Sequence, residues 1–307
     1  MANLRDIRNR IESVENTKQV TRAMKMVAAA KLRKAQERIF QTRPYAYKIR
    51  EMLENLKGEL DPTAHPLFQE PEDTEGVLVI VVTADRGLCG AFNSNVIEKA
   101  EGVVEEHAHL QEQDNLFLLA IGEKGHNHFQ KRNHRLVGDY RGIFDDLSYS
   151  VAEEVIEDAV EGFQRGIWSE VKIVYNEFKN TIVQNQIAEP LLPIPEDRFQ
   201  TPVMEEEMDM VASLPENGQA MDYIFEPDPS RLLDEMVPRF LYYQMWKALL
   251  ESNASEQGAR MVAMDNATEN AEEMIEDLTL EYNRARQNAI TMELLDIASG
   301  AEALDES

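Results

Sequence analysis

The segment TADRGLCGAFNSN (83–95) follows an apolar run and leads into a helical pattern, the position at which α/β folds hold ligands. Gly87 and Gly90 could expose backbone N–H donors there, and Asn93 or Ser94 could cap the following helix. The chain contains no G-x-G-x-x-G and no G-x-x-x-x-G-K-[ST], so a nucleotide loop is the weaker reading. A tight turn that packs the domain against the helical pair is the stronger one. Cys89 sits in this turn without a sequence pattern that would supply a base and an oxyanion hole, and reads as a buried structural thiol. It is the single cysteine of the chain, which excludes an internal disulfide and a cysteine-based zinc cage.

The other candidate chemistry is as sparse. His107/His109 and His126/His128 are spaced i, i+2, which sends two side chains to different sides of a helix, so they read as surface histidines rather than metal ligands. Asp and Glu are too abundant for one catalytic pair to stand out. No catalytic residue, metal or cofactor is expected. Lys25, Lys31, Arg33, Lys34, Arg38 and Arg43 form a basic run, but they have no aromatic stacking platform and belong to a strongly acidic chain. An acidic protein segment therefore suits them better than nucleic acid.

The charge is unevenly divided. Residues 1–57 carry fourteen Lys/Arg against six Asp/Glu, whereas the remainder carries 17 against 51, within a total net charge of −26. A basic helix on an acidic body implies a partner that is acidic where that helix sits. The acid elsewhere reads as a solvated surface.

The elements that carry these residues are of two kinds. Residues 3–57 read as helix, with Ile7, Ile11, Val14, Thr21, Met24, Ala28, Leu32, Ala35 and Ile39 in steps of three and four once a polar step at Lys18 is allowed. Pro44 is expected to kink this helix or mark a boundary. Forty such residues span about 60 Å, so the helix needs a long partner. The far end supplies one: Ala267, Ala271, Met274, Leu278, Tyr282, Ala285 and Ala289 recur with a mean step nearer to an eleven-residue repeat than to a heptad. The spacing predicts a close, Ala-rich and irregular antiparallel pair that stops at Ser299-Gly300.

Between the helices the texture changes. VLVIVV (77–82), LFLLAIG (116–122), a weaker RLVGDY (135–140), VKIVYNEF (171–178) and TIVQNQIA (181–188) read as strands, with helices over 93–109, 123–132 and 148–165. The last two strands, joined at Lys179-Asn180, form an antiparallel hairpin on a mainly parallel sheet. The fold class is thus an α/β insert plus a long antiparallel coiled coil, divided as 1–57, 76–195, 196–229 and 230–307. Residues 196–228 hold ten acidic residues and one basic one and read mostly as solvated linker. DYIFEPDP (222–229) is too aromatic for that and suggests a contact site.

Beyond these readings, TRAMKMVAAAKLRKAQ (21–36), TADRGLCGAFNSN (83–95), EPDP (226–229), ASEQGARMVAMDNATENA (254–271) and LTLEYNRARQNAITMELLDIASGAEAL (278–304) resemble the gamma subunits of F-type ATP synthases of bacterial type. The resemblance runs the length of the chain, in order. It implies a non-catalytic central-stalk rotor that couples rotation of the membrane c-ring to conformational cycling of catalytic beta subunits. The partners it implies are the alpha, beta and epsilon subunits and the c-ring. It places Arg286, Gln287, Thr291, Arg260, Met24 and Lys25 at beta-subunit contacts, and Tyr223, Phe225 and Glu226 at the foot on the c-ring and epsilon subunit. It also implies peripheral attachment to the cytoplasmic face of the inner membrane. Asp265 stands where the family tends to carry a base, and the chloroplast form's dithiol insertion is missing.

Overall fold

The computed structural model describes residues 4–57, 65–71, 74–195 and 228–305. The foot residues Tyr223, Phe225 and Glu226, and most of the acidic linker, lie outside the described residues. Helix α1 spans Leu4–Lys57 and helix α6 spans Pro229–Asp305. Pro44 and Pro238 both fall inside helix, and α6 continues through Ser299-Gly300 rather than ending there. The chain forms two compact units, one of residues 1–28 and 261–307 and one of residues 29–260, so both long helices contribute to each.

In the first unit α1 and α6 pair antiparallel. Lys18 Nζ meets Glu272 Oε1 at 2.9 Å, Thr21 Oγ1 meets Thr268 Oγ1 at 2.8 Å, and Lys25 Nζ reaches Asp265 Oδ1. As one number rises the other falls, which defines the direction and the register. On α1, Leu4, Ile7, Ile11, Val14, Lys18, Thr21, Lys25 and Ala28 are buried or half-buried, in strictly alternating steps of three and four. On α6 the matching set is Met264, Thr268, Ala271, Ile275, Leu278, Tyr282 and Ala285. Both sets keep a 3.5-residue period, the repeat of a left-handed coiled coil. The expected irregular coil is thus corrected to a regular heptad seam. Met274 is 46% exposed and its neighbour Ile275 takes the inward position, while Ala289 is exposed.

The second unit is built on a five-stranded sheet. Its strands are β1 (Val77–Val82), β2 (Leu116–Ile121), β3 (Arg135–Leu136), β4 (Glu170–Phe178) and β5 (Gln184–Leu192). Their order is β3-β2-β1-β4-β5, parallel except for the antiparallel pair β4–β5. Strands β1 and β2 are buried along their whole length, which explains their continuous apolar runs. The third strand is shorter than RLVGDY, with Tyr140 adding only an isolated bridge to Ile121. The second hairpin strand begins at Gln184, since Asn180 Oδ1 accepts the N–H groups of Ile182 and Val183 and makes those residues part of the turn.

Helices α2 (Phe92–Glu106) and α4 (Glu123–Lys131) cover one sheet face, where Val77, Val79 and Val81 pack with Val96, Ala100, Val103 and Phe129. A one-turn helix, α3 (Ala108–Gln111), adds Leu110 to that core. Phe117, on the opposite face, meets Trp168 at 5.4 Å between ring centroids, and the Trp168 indole N–H donates to Ala159 O of α5 (Tyr149–Gln164).

Candidate functional site

The turn at 83–95 has the glycines and polar side chains of a ligand loop, but its groups are spent inside the chain. Thr83 Oγ1 donates to Ile121 O at 3.0 Å and accepts the Gly125 N–H at 2.8 Å. Gly122, at φ 92°, lies so close that an added Cβ would stand 2.2 Å from Thr83 O. The Asp85 carboxylate accepts N–H groups from Glu123 at 3.0 Å, Gly142 at 2.7 Å and Phe144 at 3.3 Å. Lys124 N–H goes to Ala84 O. The amides at the start of α4 that would greet a phosphate are thus already bonded, one of them to a carboxylate. This is a built turn, as expected, and the geometry gives nothing to the nucleotide reading.

The turn's purpose is packing. Ala84, Cys89 and Phe92 form a small apolar cluster joined by Ala259 of α6. Arg260 Nη1 donates to Gly87 O and Nη2 pairs with Glu256, whose carboxylate is itself buried. Burial holds the Glu256 carboxyl above its ordinary range, and the Arg260 guanidinium opposes that. The Cys89 thiol is pushed up mainly by burial, so it stays protonated and unreactive. Asn93 does not cap α2, whose cap residue is Ala91. Instead its Oδ1 accepts the Ala84 N–H at 2.9 Å and its Nδ2 donates to Cys89 Sγ at 3.1 Å. Nor does Ser94 cap it; its hydroxyl donates to Ala91 O. Leu88 points outward at the tip, 67% exposed and at φ 62°.

The histidines differ from their sequence reading. His126 is buried and His107 and His128 are half-buried, with His128 Nε2 2.8 Å from Glu101 Oε1. No group of three or more His, Cys, Asp or Glu among the described residues is arranged to hold a metal.

The residues assigned to beta-subunit contacts fall in two settings. Met24 and Lys25 are half-buried in the seam of the helical pair, Lys25 already paired with Asp265. Arg260 is turned into its own unit, its side chain 11% exposed. Arg286, Gln287 and Thr291 lie on the stretch of α6 beyond the last seam residue, Ala285, where every residue from 286 to 299 is exposed. Ile290, Met292, Leu294, Leu295 and Ile297 stand out from this stretch into solvent. Sequence reasoning missed that apolar tip, although successive steps of about 100° already place Ile290, Leu294 and Ile297 on one side of the helix and Met292 and Leu295 on the opposite side.

The sequence matches the ATP synthase family over residues 3–304. It is 75% identical to the ATP synthase gamma chain of Salinibacter ruber over 308 residues, covering the whole of both chains. The chain belongs to the ATP synthase gamma-chain family. The gamma chain of Chloroherpeton thalassium is 45% identical, again over the whole of both chains. As a gamma chain, the protein is a central-stalk chain of the F-type ATP synthase. Its fold is shared with a chain of the Euglena gracilis mitochondrial ATP synthase in rotational state 3, at TM-score 0.65 and 20% identity over 98% of this chain and 94% of that one. A chain of the rotor of the same synthase in rotational state 1 aligns at TM-score 0.61 and 20% identity, over 94% of this gamma chain and 98% of its own. No helix among the described residues of the gamma chain is long and apolar enough to cross a membrane.

Proposed function

We propose that this gamma chain is the shaft that couples rotation of a membrane c-ring to conformational cycling of catalytic beta subunits, and that it performs no chemistry itself. The observation that carries this is the free end of α6. A helix with apolar residues on two opposite sides is stable only when both sides are covered. Ile290, Met292, Leu294, Leu295 and Ile297 meet that description, and all are exposed in the isolated chain. A ring of alpha and beta subunits closed around the tip fits it; a partner on one flat face would leave half the apolar surface wet.

Within such a ring, Arg286, Gln287 and Thr291 are the polar residues placed to address a beta-subunit loop. A guanidinium fork suits carboxylates. The Thr291 hydroxyl donates to Gln287 O at 2.9 Å within the helix, leaving its oxygen lone pairs as acceptors. Met24 and Lys25 reach a beta subunit from the seam, with exposed Arg22 adding positive charge beside them. Arg260 acts indirectly, by holding the Gly87–Leu88 tip in place. Tyr223, Phe225 and Glu226 belong to the foot on the c-ring and epsilon subunit. Rotation does work because an asymmetric shaft makes different contacts with each beta-subunit state, and only differential contact shifts a conformational equilibrium. The complex holds the chain peripherally, at the cytoplasmic face of the inner membrane.

Truncation before Arg286 tests the reading. Proton pumping driven by ATP hydrolysis should fall well below that of the intact complex, while the sheet-bearing unit keeps its cooperative unfolding. Unchanged pumping, or collapse of that unit, would show that the tip is not the coupling element.

A further inference from the structure

The β4–β5 hairpin and α6 carry buried ionisable groups for which the rotor role has no use. Across the antiparallel ladder Ile173 opposes Glu189, Tyr175 opposes Ile187, and Glu177 opposes Asn185. Opposed residues share a face, so Tyr175, Glu177 and Glu189 project from the same side of the hairpin. All three are buried, as is Glu251 of α6. Lys247 of α6 is the cation that acts on Glu189, and Glu177 is the like charge beside it. Glu177, Glu189 and Glu251 also act together on Tyr175. Carboxyl groups brought together away from water are costly unless something neutralises them.

The carboxylates are not equivalent. Glu177 Oε2 accepts from Asn185 Nδ2 at 3.3 Å, and Glu251 Oε2 accepts the Phe178 N–H at 3.0 Å. Glu189 Oε2 and the Tyr175 hydroxyl are both buried with no partner at normal hydrogen-bond distance, although each group acts on the other. Two buried oxygens without a partner, among other carboxyl groups, mark a place where one more proton would find a use.

We propose that this hairpin is a proton-binding site: Glu189 takes up a proton on folding, and its loss loosens the packing of the hairpin. A neutral carboxyl group supplies both a donor and an acceptor to Tyr175, where an ionised one places a negative charge away from water. Burial first, and then Glu177, hold the Glu189 carboxyl above its ordinary value, against the opposing pull of Lys247 and Tyr175. The folded chain therefore binds this proton more tightly than the unfolded chain. The contribution to stability is full below the ordinary glutamate value of 4.5 and is lost as pH rises through the folded value.

Thermal unfolding of the full chain, from about pH 4 to about pH 9, separates the outcomes when wild type is compared with Glu189→Gln, which is always neutral and nearly the same size. The two should match at the acid end. The variant should gain on wild type as pH rises, by on the order of a few °C in Tm. Infrared difference spectra of wild type should carry a protonated-carboxyl band that Glu189→Gln lacks. A variant less stable than wild type at every pH would overturn the proposal, because it would make the ionised form the native one. So would a wild-type Tm raised by Na⁺ or K⁺ over choline at equal ionic strength, with the response lost in Glu189→Gln, since a bound cation would then be the missing charge.

Discussion

Thr21 Oγ1 and Thr268 Oγ1 lie 2.8 Å apart across the seam of the helical pair, each also within reach of a carbonyl of its own helix, Lys18 O at 3.1 Å and Met264 O at 2.7 Å, so one hydroxyl proton bridges the seam while the other stays on its own helix. Thr21→Val leaves one hydroxyl facing a methyl group and should lower the stability of the pair by about 1 kcal/mol. Adding Thr268→Val should recover most of that, since two matched apolar groups leave nothing unsatisfied. Hydrogen exchange of the α1 amides in the single and double variants reads the difference.

The layers on either side are charged, Lys18–Glu272 and Lys25–Asp265. Polar layers in a heptad seam fix register more than they add stability. These side chains are partly exposed, so a double-mutant cycle on Lys25 and Asp265 should give a coupling of about 1 kcal/mol or less that shrinks with added salt. Asp265→Lys should weaken the pair through like-charge contact, and Lys25→Asp in the same chain should restore it. A cycle that gives no coupling at low salt would remove the pair from the register argument.

Arg260 offers a sharper case, because both it and Glu256 are nearly enclosed. Arg260→Ala strands a buried carboxylate and frees Gly87 O, and should cost about 3 kcal/mol in urea unfolding. Arg260→Lys should recover little, because an ammonium does not reproduce the fork that reaches both partners.

Tight packing at Gly162 predicts a large effect of a single methyl group. A Cβ there would lie 2.0 Å from Trp168 Cζ2. Trp168 is fixed by its hydrogen bond to Ala159 O and its contact with Phe117, so it cannot easily retreat. Gly162→Ala should destabilise the sheet-bearing unit by about 2 kcal/mol or more, read as a lower urea midpoint with the same slope.

Tyr149 predicts behaviour in alkali. It packs edge-on to Trp246 at 5.8 Å, and burial pushes its phenol up to about 12. The folded state favours the neutral phenol, so its contribution is full below the ordinary value of 10 and is lost as pH rises from there through about 12. Tyr149→Phe should therefore lose less stability than wild type across that interval, as followed by far-ultraviolet circular dichroism.

The sequence made the heptad seam of α1 legible because apolar spacing is a local property: all nine stripe residues named from Ile7 to Ile39 are buried or half-buried. It misplaced the seam of α6 because Met274 and Ile275 are adjacent and both apolar, and only the partner helix decides which of them turns inward. Lys25 looked like a free cation because nothing local pairs it with a residue 240 positions away. The turn at 83–95 was legible as a turn, but the role of Asp85 was not. Its carboxylate gathers amides from the start of α4 and from 142–144, which become neighbours only when the sheet forms. The exposed tip after Ala285 was hidden for a related reason: α6 reads as helix to its end, and only the register with α1 shows where its partner stops.

The central claim is that this chain turns inside a catalytic ring. Its one native thiol, Cys89, is buried, so Lys131→Cys gives a single reactive handle on an exposed residue. With the complex assembled around that variant, the ring fixed to a surface and a probe on the thiol, ATP should drive continuous rotation in one direction. Truncation before Arg286 should make that rotation weak or erratic. ATP hydrolysis at full rate with a stationary probe would contradict the account.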